Sequence, residues 1–62
     1  MKIEKTFNEP NAIAREISKE DAIEYLERRG YYEPGTVDMI CQVGSKSFLR
    51  TPWAFYDFIP EE

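Results

Sequence analysis

Histidine is absent from this chain of 62 residues, and cysteine occurs once, as Cys41. Without histidine the chain lacks the side chain that most often serves as a general base near neutral pH. A single thiol cannot form an internal disulfide, and it falls short of the set of Cys and His ligands that a structural zinc ion takes. We therefore expect a non-enzymatic protein with no catalytic residues, no cofactor and no metal site.

Long apolar runs are also missing. No stretch approaches the roughly 20 apolar residues of a membrane-spanning helix. The charged residues 1–5 are not followed by the apolar run of a secretory signal, and a lone unpaired cysteine is typical of a reducing compartment. These absences predict a cytoplasmic location and no membrane partner.

Basic residues are fewer than acidic ones. The 8 basic and 12 acidic side chains give a net charge of −4. Binding to nucleic acid depends on clustered Lys and Arg side chains that neutralise phosphates, so direct nucleic-acid binding is not expected. An acidic surface instead complements a basic surface on another protein. A chain this short buries only about 60% of its unfolded surface, so residues 1–62 are expected to form one marginally stable domain.

Apolar residues concentrate between residues 36 and 59, where they alternate with polar ones and the alternation is broken by Gly44 and Pro52. This pattern predicts a three-stranded antiparallel meander with strands at residues 36–43, 47–51 and 53–59. A hairpin turn is expected at residues 44–46. On the first strand the predicted core face carries Val37, Met39, Cys41 and Val43.

A helix is predicted between Ser18 and Gly30. Ser18 is a favourable N-cap, and Asp21 follows it at the spacing of a capping box. Gly30 can adopt the left-handed conformation that ends a helix. The apolar stripe expected to pack on the sheet consists of Ala22, Ile23, Tyr25 and Leu26.

The N-terminal segment is less regular. Residues 1–7 alternate loosely with Lys5 on the apolar side, which predicts an edge strand. Residues 12–17 fit a short helix or a strand that pairs back onto the first, and their alanine content favours the helix. The predicted fold is α+β, with one capped α-helix packed on a three- to four-stranded antiparallel β-sheet in the order β-α-β-β-β.

The strand at residues 53–59 is aromatic on both faces, whereas a strand covered on one side should alternate apolar with polar residues. We expect Trp53, Phe55 and Ile59 to meet the helix, which leaves Tyr56 and Phe58 pointing away from it. Either the N-terminal segment folds over this second face, or the face is an exposed aromatic patch that contacts another protein.

Three glutamates form an acidic stripe on the predicted helix. Glu20, Glu24 and Glu27 stand at i, i+4 and i+7, so they project from one face over roughly 10 Å. The spacing of their charges is close to that of phosphates along a DNA strand, which would suit a nucleic-acid mimic. The alternative is a solvated helix face, and Arg28 would partly neutralise Glu24 from the next turn.

These features predict a non-enzymatic module that binds a larger protein with a basic surface, through Glu20, Glu24, Glu27, Trp53, Tyr56 and Phe58. In size and charge the chain is similar to inhibitors that phages and mobile elements encode against host nucleic-acid-binding complexes, including anti-CRISPR proteins. That resemblance implies a protein that blocks such a surface. The alternatives are a homodimeric structural or regulatory module, or a sheet that stacks single-stranded bases beside Lys46 and Arg50.

Overall fold

The computed structural model describes residues 1–61, and Glu62 lies outside the described residues. Four strands and two helices follow one another in the order β-β-α-α-β-β. The predicted α+β class is confirmed, but the predicted order β-α-β-β-β is wrong. The elements are β1 Lys2–Phe7, β2 Arg15–Ile17, α1 Lys19–Ile23, α2 Thr36–Val43, β3 Ser47–Arg50 and β4 Ala54–Ile59.

One antiparallel sheet joins the strands in the order β2-β1-β4-β3. Because β1 lies between β2 and β4, the prediction of an edge strand at residues 1–7 is wrong. For residues 12–17 the sequence allowed a short helix or a strand and favoured the helix. The helix is wrong, because Arg15–Ile17 pairs with β1 as a strand. Asn11 adopts a φ of 64° in the connection between these two strands, a conformation that Asn tolerates better than most residues.

The helix predicted between Ser18 and Gly30 is confirmed. The Asp21 N–H donates to Ser18 Oγ at 3.1 Å, which satisfies one of the free amides of the first turn. α1 passes directly into a π-helical segment at Glu24–Arg28, a wider turn that is rare and often found at functional sites. Gly30 then takes a φ of 86°, beyond the end of the helical residues.

The strand predicted at residues 36–43 is wrong, because this segment is the helix α2. Val37 is fully buried and Ile40 and Cys41 pack against the core, as helical spacing requires, while Met39 and Val43 are exposed. The apolar residues of this segment fit both the two-residue period of a strand and the 3.6-residue period of a helix. The residues at the two ends of the segment distinguish the helix from the strand. Glycines with positive φ flank it at 35 and 44, and the second one ends a helix instead of forming the predicted hairpin turn.

The two faces of β4 are assigned opposite to the prediction. Ala54, Tyr56 and Phe58 face the helices and belong to the core, where Tyr56 is 3% exposed. Phe55 and Ile59 therefore do not meet the helices. The physical reason is Asp57, which shares their face and whose carboxylate would be costly to bury.

Candidate functional site: an open sheet face and an aromatic pocket

The predicted acidic stripe does not form a common solvated face. Glu20 is exposed, but Glu24 pairs with Arg28 at 3.4 Å and lies 4.0 Å from Arg29. The carboxylate of the half-buried Glu27 accepts hydrogen bonds from the backbone N–H groups of Gly35, at 2.9 Å, and Val37, at 2.8 Å. Glu27 thereby caps the N-terminus of α2, where backbone amides lack partners within the helix.

Of the three aromatic residues predicted to bind a partner, Trp53 and Tyr56 line one pocket, described below, and Phe58 does not line it. Tyr56 and Phe58 lie in the core beneath the helices, so the prediction that they point away from the helices is wrong. Trp53 precedes β4 in the turn and is 68% exposed. Its indole N–H donates to the Tyr31 hydroxyl at 2.8 Å. The structure therefore does not bring the six predicted binding residues together.

The face of the sheet that points away from the helices, which we call the outer face, carries no helix among residues 1–61. Here the rings of Phe48 and Phe55, on neighbouring strands, stack with centroids 5.8 Å apart and an interplanar angle of 22°. Phe48 is 55% exposed. By register, the outer face consists of Lys2, Glu4, Thr6, Glu16, Phe48, Arg50, Phe55, Asp57 and Ile59.

A row of carboxylates crosses the outer face beside these rings. Glu4 of β1 stands opposite Glu16 of β2 on one side and opposite Asp57 of β4 on the other. Neighbouring strands lie about 4.8 Å apart, and like charges directly opposite one another destabilise a sheet. Lys2 neutralises part of this charge through an ion pair with Glu4 at 3.2 Å. We call Glu4, Glu16 and Asp57 the carboxylate row.

A second feature lies on the helix side of the sheet, between the π-helical segment and the turn from β3 to β4. An open pocket of about 270 Å³ is found here, which we call the aromatic pocket. Its more buried lining residues are Lys5, Tyr25, Thr51 and Tyr56, and its exposed ones are Phe7, Arg29, Tyr31 and Trp53.

Lys5 is the charged centre of the aromatic pocket. Its Nζ lies 3.8 Å from the ring centroid of Tyr25 and 4.5 Å from that of Phe7, within the range of cation–π attraction. Burial lowers the pKa of Lys5, the positive charge of Arg29 lowers it further, and Asp21 acts in the opposite direction. Burial raises the pKa of Tyr56, which favours the protonated form of its hydroxyl.

Sequence reasoning missed both features because each depends on pairing between distant parts of the chain. The loose alternation of β1 shows that Glu4 and Lys5 point to opposite faces, which is a signal that could have been used. Only the register of β1 with β2 and β4 places Glu4 between Glu16 and Asp57. The sequence spacing between Lys5 and Trp53 gives no hint that they line one pocket.

Residues 1–61 contain no group of at least three His, Cys, Asp or Glu side chains that could hold a metal ion. No helix in this range has the length and apolar character needed to cross a bilayer.

Comparison of the chain with protein-family models, curated proteins and solved structures found no match. The functional conclusion therefore depends on the outer face and the aromatic pocket themselves.

Proposed function

We propose that this protein is a non-enzymatic binding module that docks its outer face on a basic surface of a larger protein. The observation that carries this proposal is that the stacked Phe48–Phe55 pair and the carboxylate row share one sheet face on which no described helix packs. Exposed aromatic rings supply most of the contact energy in many interfaces. Carboxylates beside them select a cationic partner and speed its association.

The acidic helix stripe is less suited to this contact than the outer face. Glu27 is engaged in capping α2, and Glu24 is paired with arginine. Addition of a partner strand at a sheet edge is also disfavoured. β2 is only three residues long, and at the β3 edge the Tyr32 hydroxyl accepts from the Arg50 N–H and donates to the Arg50 carbonyl.

A basic surface that binds nucleic acid is the partner that fits best. Such surfaces expose Lys and Arg to neutralise phosphates, and a chain of net charge −4 is attracted to them. A docked outer face would then exclude nucleic acid, and the protein would act as a competitive inhibitor. Direct binding of single strands to the Phe48–Phe55 pair is disfavoured because the carboxylate row would repel phosphates.

A pair of charge-matched double variants tests this function. Glu4→Gln with Asp57→Asn removes two charges from the carboxylate row, whereas Glu20→Gln with Glu33→Gln removes two exposed charges elsewhere. Each tagged protein is used to capture partners from an extract of the source cell, and the captured partner is assayed for binding to a labelled oligonucleotide. We expect the first double variant to lose at least about tenfold in affinity and the second to match the wild type.

Two results would contradict the proposal. Equal affinity of the two double variants for the captured partner would exclude the carboxylate row as the contact. Undiminished binding of the oligonucleotide to the partner, with the wild-type chain bound, would exclude competitive inhibition.

A further inference from the structure

We propose that the aromatic pocket binds a small organic anion made of one aromatic ring and one anionic group. The pocket lies on the helix side of the sheet and shares no residue with the outer face. The inference therefore stands apart from the proposed protein-binding function.

The charge of the aromatic pocket is opposite to that of the whole chain. It is lined by two cationic side chains, Lys5 and Arg29, and by no carboxylate, although the chain has 12 acidic residues. Arg15 of β2 stands opposite Lys5 in the sheet register and adds a third positive charge on the same face. Lys5 forms no ion pair with the described residues, so an anion in the pocket would relieve the repulsion between these cations.

Hydrogen-bond donors also converge on the aromatic pocket. Tyr56 is almost fully buried, yet its hydroxyl makes no hydrogen bond to another described side chain or backbone group. Among residues 1–61, no side-chain oxygen or nitrogen is both buried and unpaired, so this hydroxyl must open into the pocket that Tyr56 lines. The Tyr31 hydroxyl accepts the Trp53 indole N–H and therefore keeps its own proton for a ligand.

The size and the rim of the pocket indicate the rest of the ligand. Phe7, Tyr31 and Trp53 are exposed at the rim and offer ring faces and edges for stacking. A volume of about 270 Å³ falls just below the roughly 300–1,000 Å³ of sites for drug-sized molecules. It suits a single ring with a carboxylate or a phosphate. The π-helical segment contributes Tyr25, and Arg29 follows it directly.

The protonation of Lys5 should respond to such a ligand. The charged and titratable groups around its ammonium are Arg15, Asp21, Tyr25, Arg29 and Tyr56. An anion would favour the charged form and raise the pKa of Lys5, which burial and Arg29 lower in the free protein. By linkage, affinity should fall as the pH rises through the pKa of Lys5.

Trp53 is the single tryptophan of the chain, so its fluorescence reports on the aromatic pocket. The titration uses benzoate and phenyl phosphate, with benzamide as a neutral analogue and inorganic phosphate as an anion without a ring. We expect a saturable change for at least one of the two aromatic anions and about tenfold weaker binding of benzamide and inorganic phosphate. The tighter of the two aromatic anions identifies the anionic group.

Matched variants show whether the pocket cations are responsible. Lys5→Met and Arg29→Met should each weaken binding about tenfold. Lys46→Met and Arg28→Met remove the same charges outside the pocket and should bind like the wild type. Nuclear magnetic resonance should show a rise in the Lys5 pKa when the ligand binds. Circular dichroism melts verify that each variant is folded, and the exposed Arg29 provides a second, independent test.

Several outcomes would overturn the inference. The first is that neither aromatic anion shows saturable binding, and the second is that benzamide or inorganic phosphate binds as tightly as the aromatic anions. The third is that Arg28→Met weakens binding as much as Arg29→Met, and the fourth is that the pKa of Lys5 does not change when the ligand binds. The Glu4→Gln, Asp57→Asn variant should retain wild-type binding of the aromatic anion. This variant thereby distinguishes a failure of the proposed anion binding in the aromatic pocket from a failure of the proposed protein binding at the outer face.

Discussion

At the scale of single residues, Glu27 acts as a structural cap, although its spacing with Glu20 and Glu24 suggested an interface role. Its carboxylate accepts the N–H groups of Gly35 and Val37, and a charged acceptor makes both hydrogen bonds strong. We expect Glu27→Ala to lower the free energy of unfolding by about 2 kcal/mol, measured by urea denaturation. Glu20→Ala, at an exposed position, should change it by less than about 0.5 kcal/mol. Equal effects would mean that the cap contributes nothing.

Lys5 gives a pH-dependent prediction at the same scale. Its pKa is lowered in the folded state from the ordinary value of 10.5, so between the folded and unfolded pKa values the unfolded chain binds more protons. The free energy of unfolding therefore increases as the pH rises from the folded to the unfolded pKa of Lys5. Below both values Lys5 is charged in the folded protein, and the whole cost of burying that charge reduces the stability. Lys5→Met should be more stable than the wild type at neutral pH, and the difference should shrink towards pH 10.5.

The measurement for Lys5 is the free energy of unfolding of both proteins as a function of pH. Tyr56 changes the free energy of unfolding with pH in the opposite direction. Its pKa is raised above 10.0 in the folded state, so its contribution to stability is lost as the pH rises past that value. Both proteins contain Tyr56, and below pH 10.0, where Tyr56 stays protonated in each, the difference between them reports on Lys5. A difference that stays constant with pH would contradict the lowered pKa of Lys5.

At the scale of elements, the helical residues Lys19–Ile23 and Glu24–Arg28 could be predicted because their signals are local. Ser18, Asp21 and Gly30 mark their ends, and their apolar stripe fits a single period. The helix α2 could not be predicted in this way. Its apolar residues satisfy alternation as well as helical spacing, and the cap that favours the helix comes from Glu27, eight residues before Gly35.

The end of α2 provides a test of that assignment. Gly44 has a φ of 76°, and a Cβ added there would meet no atom within 4 Å. Gly44→Ala should therefore destabilise the protein through backbone strain alone, by about 1 kcal/mol in thermal or urea unfolding. Ser45→Ala, in the next position, serves as the control and should have little effect. Unchanged stability of Gly44→Ala would be inconsistent with this helix end.

At the scale of the whole molecule, the sequence left open whether the N-terminal segment covers the second sheet face or leaves it exposed, and it misassigned which face this is. Among the described elements no helix packs on the outer face, and β1 and β2 of the N-terminal segment join the sheet instead of folding across it. The charged Asp57 among the rings of β4 was the signal for the outward face. The carboxylate row and the aromatic pocket need strand register, which no local pattern supplies.

The outer face also decides the oligomeric state that we expect. In a twofold dimer the same patch meets itself, so two copies of a face with three carboxylates and two cations, Lys2 and Arg50, would be brought together, in a chain of net charge −4. We expect the wild type to sediment as a monomer at micromolar concentration and low salt. Removing the repulsion with Glu4→Gln and Asp57→Asn should promote self-association through Phe48 and Phe55.

The Glu20→Gln, Glu33→Gln variant separates the effect of the carboxylate row on self-association from the effect of net charge. It changes the net charge by the same amount outside the carboxylate row and should remain monomeric. Added salt should move the wild type towards the behaviour of the Glu4→Gln, Asp57→Asn variant, since it screens exposed charges. A wild-type dimer at low salt that buries Phe48 and Phe55 would mean that a second copy occupies the outer face. The basic partner proposed for that face would then have to bind elsewhere, because one patch cannot serve both contacts at once.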